Sequence, residues 1–247
     1  MKIVHLLKTS LLLLISGILL CWGIVNVYIE FAHQVPRQTM EYWNCIGKVD
    51  NQDSWRHQAF IMDQMVHLSP FDAQIHTDIA RLYEWQATNG EAWSENALTA
   101  RDNAIRHFRS STELSPTRAN GWINLLKSKS INQQFGGEVI RDFSNALRYG
   151  KNQTGIQSQL IWLGLGMWDS LDEPNKLETK ELIKRLLESH KKKHYILTTA
   201  FRFNWVNELK KLTADPQLLA QIDHLENNPS ALAKALSPQT SQTECRI

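Results

Sequence analysis

Hydrophobic and polar positions along the chain follow two regimes. From Thr9 to Ile29 the sequence reads TSLLLLISGILLCWGIVNVYI, without a charged side chain. A run of about 20 apolar residues crosses a bilayer core as a helix. Lys2 and Lys8 precede the run and Glu30 follows it, which places the amino terminus in the cytoplasm and the body outside it. The run is longer than a signal-peptide core, and Asn26 to Ile29 offer no small-x-small cleavage site, so an uncleaved anchor is expected. Leu20, where a lipoprotein signal needs a small residue before its cysteine, argues against lipidation at Cys21. Beyond residue 31, apolar positions recur at helical spacing. The predicted organisation is a membrane anchor over 1–31 and a connector or leading helix over 32–56. A helical domain over 57–213 and a C-terminal helix with a flexible tail over 214–247 complete it.

Leu-Ser-Pro stands between two helical patterns at 68–70 and again at 114–116. Aligning Pro70 with Pro116 pairs His76 with Trp122, Ile79 with Leu125 and Ala80 with Leu126. Upstream, Ala104, Phe108 and Ser111 precede Pro116 at the distances by which Val139, Phe143 and Ala146 precede Lys151. The predicted helices are AQIHTDIARLYEWQA and ALTARDNAIRHFRSSTEL in a first unit, then ANGWINLLKSKSI and GEVIRDFSNALRY in a second. The insertion TNGEAWSEN accounts for the first unit's extra length. Proline ends each preceding helix because it lacks the amide donor, and Asp72 and Thr117 are placed to cap the next one. A third, degraded unit has Lys151 in the place of proline, and residues 195–213 read as one further capping helix.

This pattern resembles the tetratricopeptide repeat, with Tyr83 in that family's tyrosine position. The fold class expected is therefore all-α, an N-terminal transmembrane helix followed by a tetratricopeptide-like helical-repeat domain. In such a stack Ala80, Ala104 and Ala146 allow close helix crossings, and Phe108, Phe143 and Trp122 fill the space between hairpins. Repeat proteins bind on the concave face lined by their first helices. The candidate groove residues are Gln74, Thr77, Arg81 and Glu84 in the first unit and Asn120, Ile123 and Lys127 in the second. Arg81 and Lys127 both lie eleven residues past their proline, a row of cations suited to a carboxylate-bearing peptide or an acidic polysaccharide.

The formal net charge of +2 gives no reason to expect a nucleic-acid partner. Gly164-Leu165-Gly166 lacks the strand and third glycine of a phosphate cradle. His190 and His194 stand four apart but enclose Lys191, Lys192 and Lys193, which repel a cation. No catalytic residue, metal site or cofactor is assigned, and a non-enzymatic role is expected. Among nine tryptophans, Trp122, Trp162 and Trp168 are expected on core faces and Trp85 and Trp93 in exposed positions, which leaves sugar stacking a subordinate reading. Cys45 and Cys245 are expected as free thiols, with a bridge the alternative in an oxidising compartment.

The anchor together with LSPFDAQIHTDIARLYEWQA, HFRSSTELSPTRANGWINLLKSK, DFSNALRYG and IQSQLIWLGLGMW resembles the VpsP-type proteins of gammaproteobacterial exopolysaccharide loci. The resemblance covers about residues 60–170. It implies a single-pass protein of the bacterial inner membrane with a periplasmic body. It also implies a scaffold whose partners are protein subunits of a polysaccharide synthesis or export complex. The alternative is a general chaperone-like repeat protein of the envelope.

Overall fold

The computed structural model describes residues 2–237, apart from the side chains of residues 2–9, 190 and 191. Among these residues there are α-helices and one short 3-10 turn, and no strand. The chain divides into two compact units, one up to Ala100 and one from Arg101.

The first unit begins with α1, a single helix from Lys2 to Ile46. It is the one described helix long and apolar enough to cross a membrane. Its side chains from Leu11 to Leu14 and at Ile18, Trp22, Val27 and Tyr28 face outward. The helix does not stop at the end of the apolar run. At 1.5 Å per residue, the stretch from Glu30 to Ile46 adds roughly 25 Å of helix, and that stretch turns one face inward. Met40 and Trp43 are buried there beside Met62 and Met65 of α2 (Gln52–Leu68) and Ile75, Ile79 and Leu82 of α3 (Ala73–Ala87). Gly47, with φ +73, ends α1 and returns its amide to Trp43 O at 2.8 Å, the left-handed cap that glycine adopts without a Cβ penalty. Asn51 then caps α2 through Ser54 N at 2.7 Å. Asp72 caps α3 through the amides of Gln74 and Ile75, as its position predicts. Cys45 is disulfide-bonded, which corrects the expectation of a free thiol there; what a fold brings beside a cysteine is not visible in its spacing. Cys245 lies outside the described residues, and Cys21 is free and exposed on α1.

After α4 (Glu95–Leu114), in which the division between the units falls, the second unit continues with α5 (Ala119–Ile131), α6 (Gly137–Gly150), α7 (Thr154–Gly166) and α8 (Glu173–Leu187). It ends with α9 (His190–Arg202), α10 (Val206–Leu212), α11 (Pro216–Glu226) and α12 (Pro229–Leu236). Helix α5 packs on α6 and α7, while α7 packs on α8 and α9 and α6 packs on α8. Helices α5, α7 and α9 thus form one row, and α6 and α8 an adjoining one. Between them lie Ile123, Leu126, Phe143, Ala146, Leu160, Ile161, Leu182, Ile183, Ile196 and Leu197, all buried. Each such large side chain contributes about 1.5–3 kcal/mol on leaving water. Lys129 of α5 is buried in the same unit, its ammonium 2.5 Å from Asp142 Oδ2 and 3.1 Å from Glu138 Oε2 of α6.

Three chain junctions share one geometry. The amide two residues past Pro70, Pro116 and Lys151 donates to the carbonyl just before each of them, at 3.2, 3.1 and 2.9 Å. Six residues past each, a side-chain N–H reaches back to that residue's own carbonyl. His76 Nε2 meets Pro70 O at 2.9 Å, Trp122 Nε1 meets Pro116 O at 2.7 Å, and Gln157 Nε2 meets Lys151 O at 3.0 Å.

Two sequence-level expectations change. Thr117 does not cap α5; Arg118 occupies the cap position and makes no side-chain cap bond. The helix expected over 195–213 is broken into α9 and α10. Asn204 adopts a left-handed φ of 54° and Trp205 N bonds to Ala200 O at 2.8 Å, a Schellman closure that asparagine tolerates better than most residues.

The glycines of the Gly164-Leu165-Gly166 segment serve packing. A Cβ on Gly164 would stand 3.0 Å from both Phe143 and Thr179, and one on Gly166 would stand 3.2 Å from Phe203. Gly164→Val is expected to destabilise the fold by about 1–3 kcal/mol through overpacking. Gly155→Ala, whose Cβ meets nothing within 4 Å, is expected to be neutral or stabilising. Urea unfolding of the detergent-solubilised chain, followed by circular dichroism, distinguishes the two.

Candidate functional site

In the first unit, Gln74 and Arg81 line a cavity of about 350 Å³ together with Arg37, Met40, Glu41, Asn44 and Asp78. The other two candidates on α3 are placed differently. Thr77 is buried and its hydroxyl donates to Ala73 O at 2.9 Å, and Glu84 is half-buried outside that lining.

Asp78 governs this cavity. Its carboxylate is 1% exposed. Arg37 Nε donates to Oδ2 at 2.7 Å, and Gln74 Nε2 donates to both oxygens at 3.1 and 3.2 Å. His33 Nε2 lies 2.8 Å from Oδ2, close but off the direction of a good hydrogen bond, and Arg81 approaches to 3.9 Å. Burial alone would raise the pKa of this carboxyl. The hydrogen bonds from Arg37 and Gln74, with the His33 ring close by, together outweigh it, and the pKa falls below the ordinary 3.8. Arg37 was not legible as a site residue, because its partner is distant in sequence and no local spacing joins them.

In the second unit, Lys127 lines a cavity of about 350 Å³ with Ser130, Ile131, Gln159, Trp162 and Tyr195, from α5, α7 and α9. Lys127 Nζ donates to Gln159 Oε1 at 2.5 Å. Behind this wall, Ser158 joins α7 to α9. Its carbonyl accepts from Tyr195 Oη at 2.8 Å and its hydroxyl from Lys192 Nζ at 2.9 Å. Of the other candidates, Asn120 is exposed on the first turn of α5, whereas Ile123 is wholly buried in the core and offers no groove contact.

Trp162 corrects the sequence reading. Expected on a core face, it is 39% exposed and stacks edge-to-face on Phe203 with ring centroids 5.4 Å apart. The signal for it was present in the alignment. Trp162 lies eleven residues past Lys151, the offset that selects Arg81 and Lys127, but the apolar run around it reads as core on every side. Trp85 is also corrected: it is half-buried and packs edge-to-face on Trp43 at 6.1 Å. Trp93 is 56% exposed, as expected, and Trp122 and Trp168 are partly buried against the core.

The α5–α7–α9 cavity combines an indole face and aliphatic walls with an ammonium, an amide and a hydroxyl at its rim. That set offers stacking, hydrogen-bonding and charged groups to a bound molecule. Among the described residues no group of three His, Cys, Asp or Glu side chains is placed to hold a metal ion. The chain is an all-helical protein with one N-terminal helix able to span a membrane. No family model matches it, and no curated protein matches it either.

The Asp78 geometry fixes a pH dependence. Because the folded pKa lies below the unfolded one, the carboxylate's contribution is fully present above about pH 3.8 and is lost as pH falls through the depressed folded value. Asp78→Asn is expected to cost about 2 kcal/mol near neutral pH, less than a fully enclosed pair because Arg37 is partly in water. The difference in thermal midpoint between wild type and variant should shrink as the pH is lowered from 7 towards 3.

Proposed function

We propose that this protein is a membrane-anchored, non-catalytic adaptor built on tetratricopeptide-like repeats, which docks a partner protein on the face formed by α5, α7 and α9. The observation that carries the reading is the cavity on that face, where the row of first helices presents Trp162, Lys127 and Gln159 side by side. The threefold recurrence of the junction at Pro70, Pro116 and Lys151 supports the repeat assignment. A partner segment with an apolar or aromatic side chain beside a carboxylate suits the site. The side chain packs on the Trp162 indole and the carboxylate meets the Lys127 ammonium. The resemblance to VpsP-type proteins directs this adaptor to exopolysaccharide biosynthesis or export at the bacterial inner membrane, with the body in the periplasm.

A second reading draws support from the exposure of Trp162. An indole face flanked by amide, hydroxyl and ammonium groups also suits a sugar ring, which would make the protein a polysaccharide-binding module. Calorimetric titration of the purified chain with the polymer separates the readings, because an adaptor gives no heat with polymer alone.

The primary reading is tested in a deletion strain by measuring surface polysaccharide after complementation with wild type or with Trp162→Ala, Lys127→Glu. Loss of polymer that wild type restores and the double variant does not, at equal protein levels, is the expected result. Unchanged polymer in the deletion strain removes the polysaccharide assignment.

A further inference from the structure

The first unit presents a second apolar feature besides the outward face of α1. Phe71 is 84% exposed and Leu68 is 47% exposed. Both lie at the turn between α2 and α3, where apolar side chains gain nothing from water. The height of this turn along α1 follows from side-chain register. Trp43 meets Trp85, while His33 and Arg37 meet Asp78, so α1 and α3 run parallel with their contacts in the same order. Helix α2 returns between them, its first residue Gln52 bonded to Asn89 just past the end of α3. Carrying the Trp43–Trp85 register towards the amino terminus sets Ala73, the first residue of α3, level with Phe31. Phe71 and Leu68 lie at or below that level. The His33–Asp78 contact fixes this register on the amino-terminal side of Pro36, so a bend at that proline does not alter it.

Phe31 stands two residues past the end of the uncharged run at Ile29. The headgroup region adds roughly 5–7 Å beyond each side of the hydrocarbon core, which is four or so residues of α1 at about 1.5 Å each. Residues level with Phe31 therefore stand among the headgroups. Tyr28 and Phe31, 56% and 68% exposed, supply aromatic side chains at the same depth from α1, in the place where membrane proteins carry an aromatic belt.

We propose that the Leu68–Phe71 turn is a second membrane contact, inserting Phe71 and Leu68 into the phospholipid interface beside Tyr28 and Phe31. This inference rests on the reading of α1 as a membrane span. One helix alone leaves the first unit free to tilt and swivel; a second apolar contact fixes that unit's orientation on the bilayer.

The experiment uses the full chain in nanodiscs of phosphatidylethanolamine and phosphatidylglycerol, with a photoreactive residue introduced as Leu20→benzoylphenylalanine, Phe60→benzoylphenylalanine or Phe71→benzoylphenylalanine. All three native side chains are exposed, so none of the replacements disturbs the core. Phe60 lies eight residues before Leu68 on α2, about 12 Å further from the bilayer at 1.5 Å per residue. After irradiation, phospholipid adducts are read as a mass shift of the intact chain. The expected result is adducts at positions 20 and 71 in comparable yield, about tenfold above position 60 given the thickness of the interface. Adducts at 20 without adducts at 71 overturn the second contact while leaving the anchor in place. Equal yields at 60 and 71 overturn the register argument. No adducts at 20 overturn the anchor reading, and the inference with it.

Discussion

A carboxylate withdrawn from water has to be met by donors wherever it comes to rest, and in the first unit that requirement ties the body to the helix that emerges from the apolar run. Asp78 is 1% exposed and is satisfied by Arg37 and Gln74, with His33 close by. Two of those three residues belong to α1. The body's first packed layer is therefore built directly on the continuation of the membrane-type helix, with no flexible linker between them. Removing the carboxylate takes the acceptor away from the buried side of Arg37; breaking a pair of this kind costs more than forming it gains. The Trp43–Trp85 contact and the Met62 and Met65 side chains then fill the space that this register defines.

The second unit meets a similar demand with the opposite sign. Lys129 is buried to 1% exposure, and Asp142 and Glu138 of the next helix meet its ammonium. Burial by itself would raise the pKa of Glu138, but its bond to Lys129 and the nearby Arg109 and Arg141 hold it below the usual carboxylate range. Buried ion pairs add little net stability, yet they penalise every arrangement that separates the partners. Here they fix α5 against α6, so that α7 and α9 can extend the same row. The row matters for the proposed function because the cavity at Trp162 has walls from all three of its helices. A shift of any one of them would open it.

Much of this was legible from local rules. Helices α3 and α5 carry the boundaries that their residue spacing predicts, and Asp72 caps where a cap residue should stand. The recurrence of Leu-Ser-Pro marked a shared turn, and the carbonyl it leaves open explains why a side-chain donor recurs six residues later. The candidate site was legible only in part. Arg81 and Lys127 line cavities, but Ile123 and Thr77 do not, because facing inward or outward depends on where the neighbouring helix lies. Trp162 illustrates the same limit from the other side. Apolar residues surround it in sequence, and only the position of α9 and of Phe203 leaves its indole open to solvent.

The sequence by itself determined the helical class, the apolar run long enough for a bilayer, the turn chemistry and most helix ends, since each is set by interactions within a few residues. The tertiary structure decided how far α1 extends into the body, the partners of Asp78 and Lys129, the split between α9 and α10, and the makeup of both cavities. Those features depend on side chains brought together from distant parts of the chain, where burial and charge pairing act through space and leave no periodicity to read.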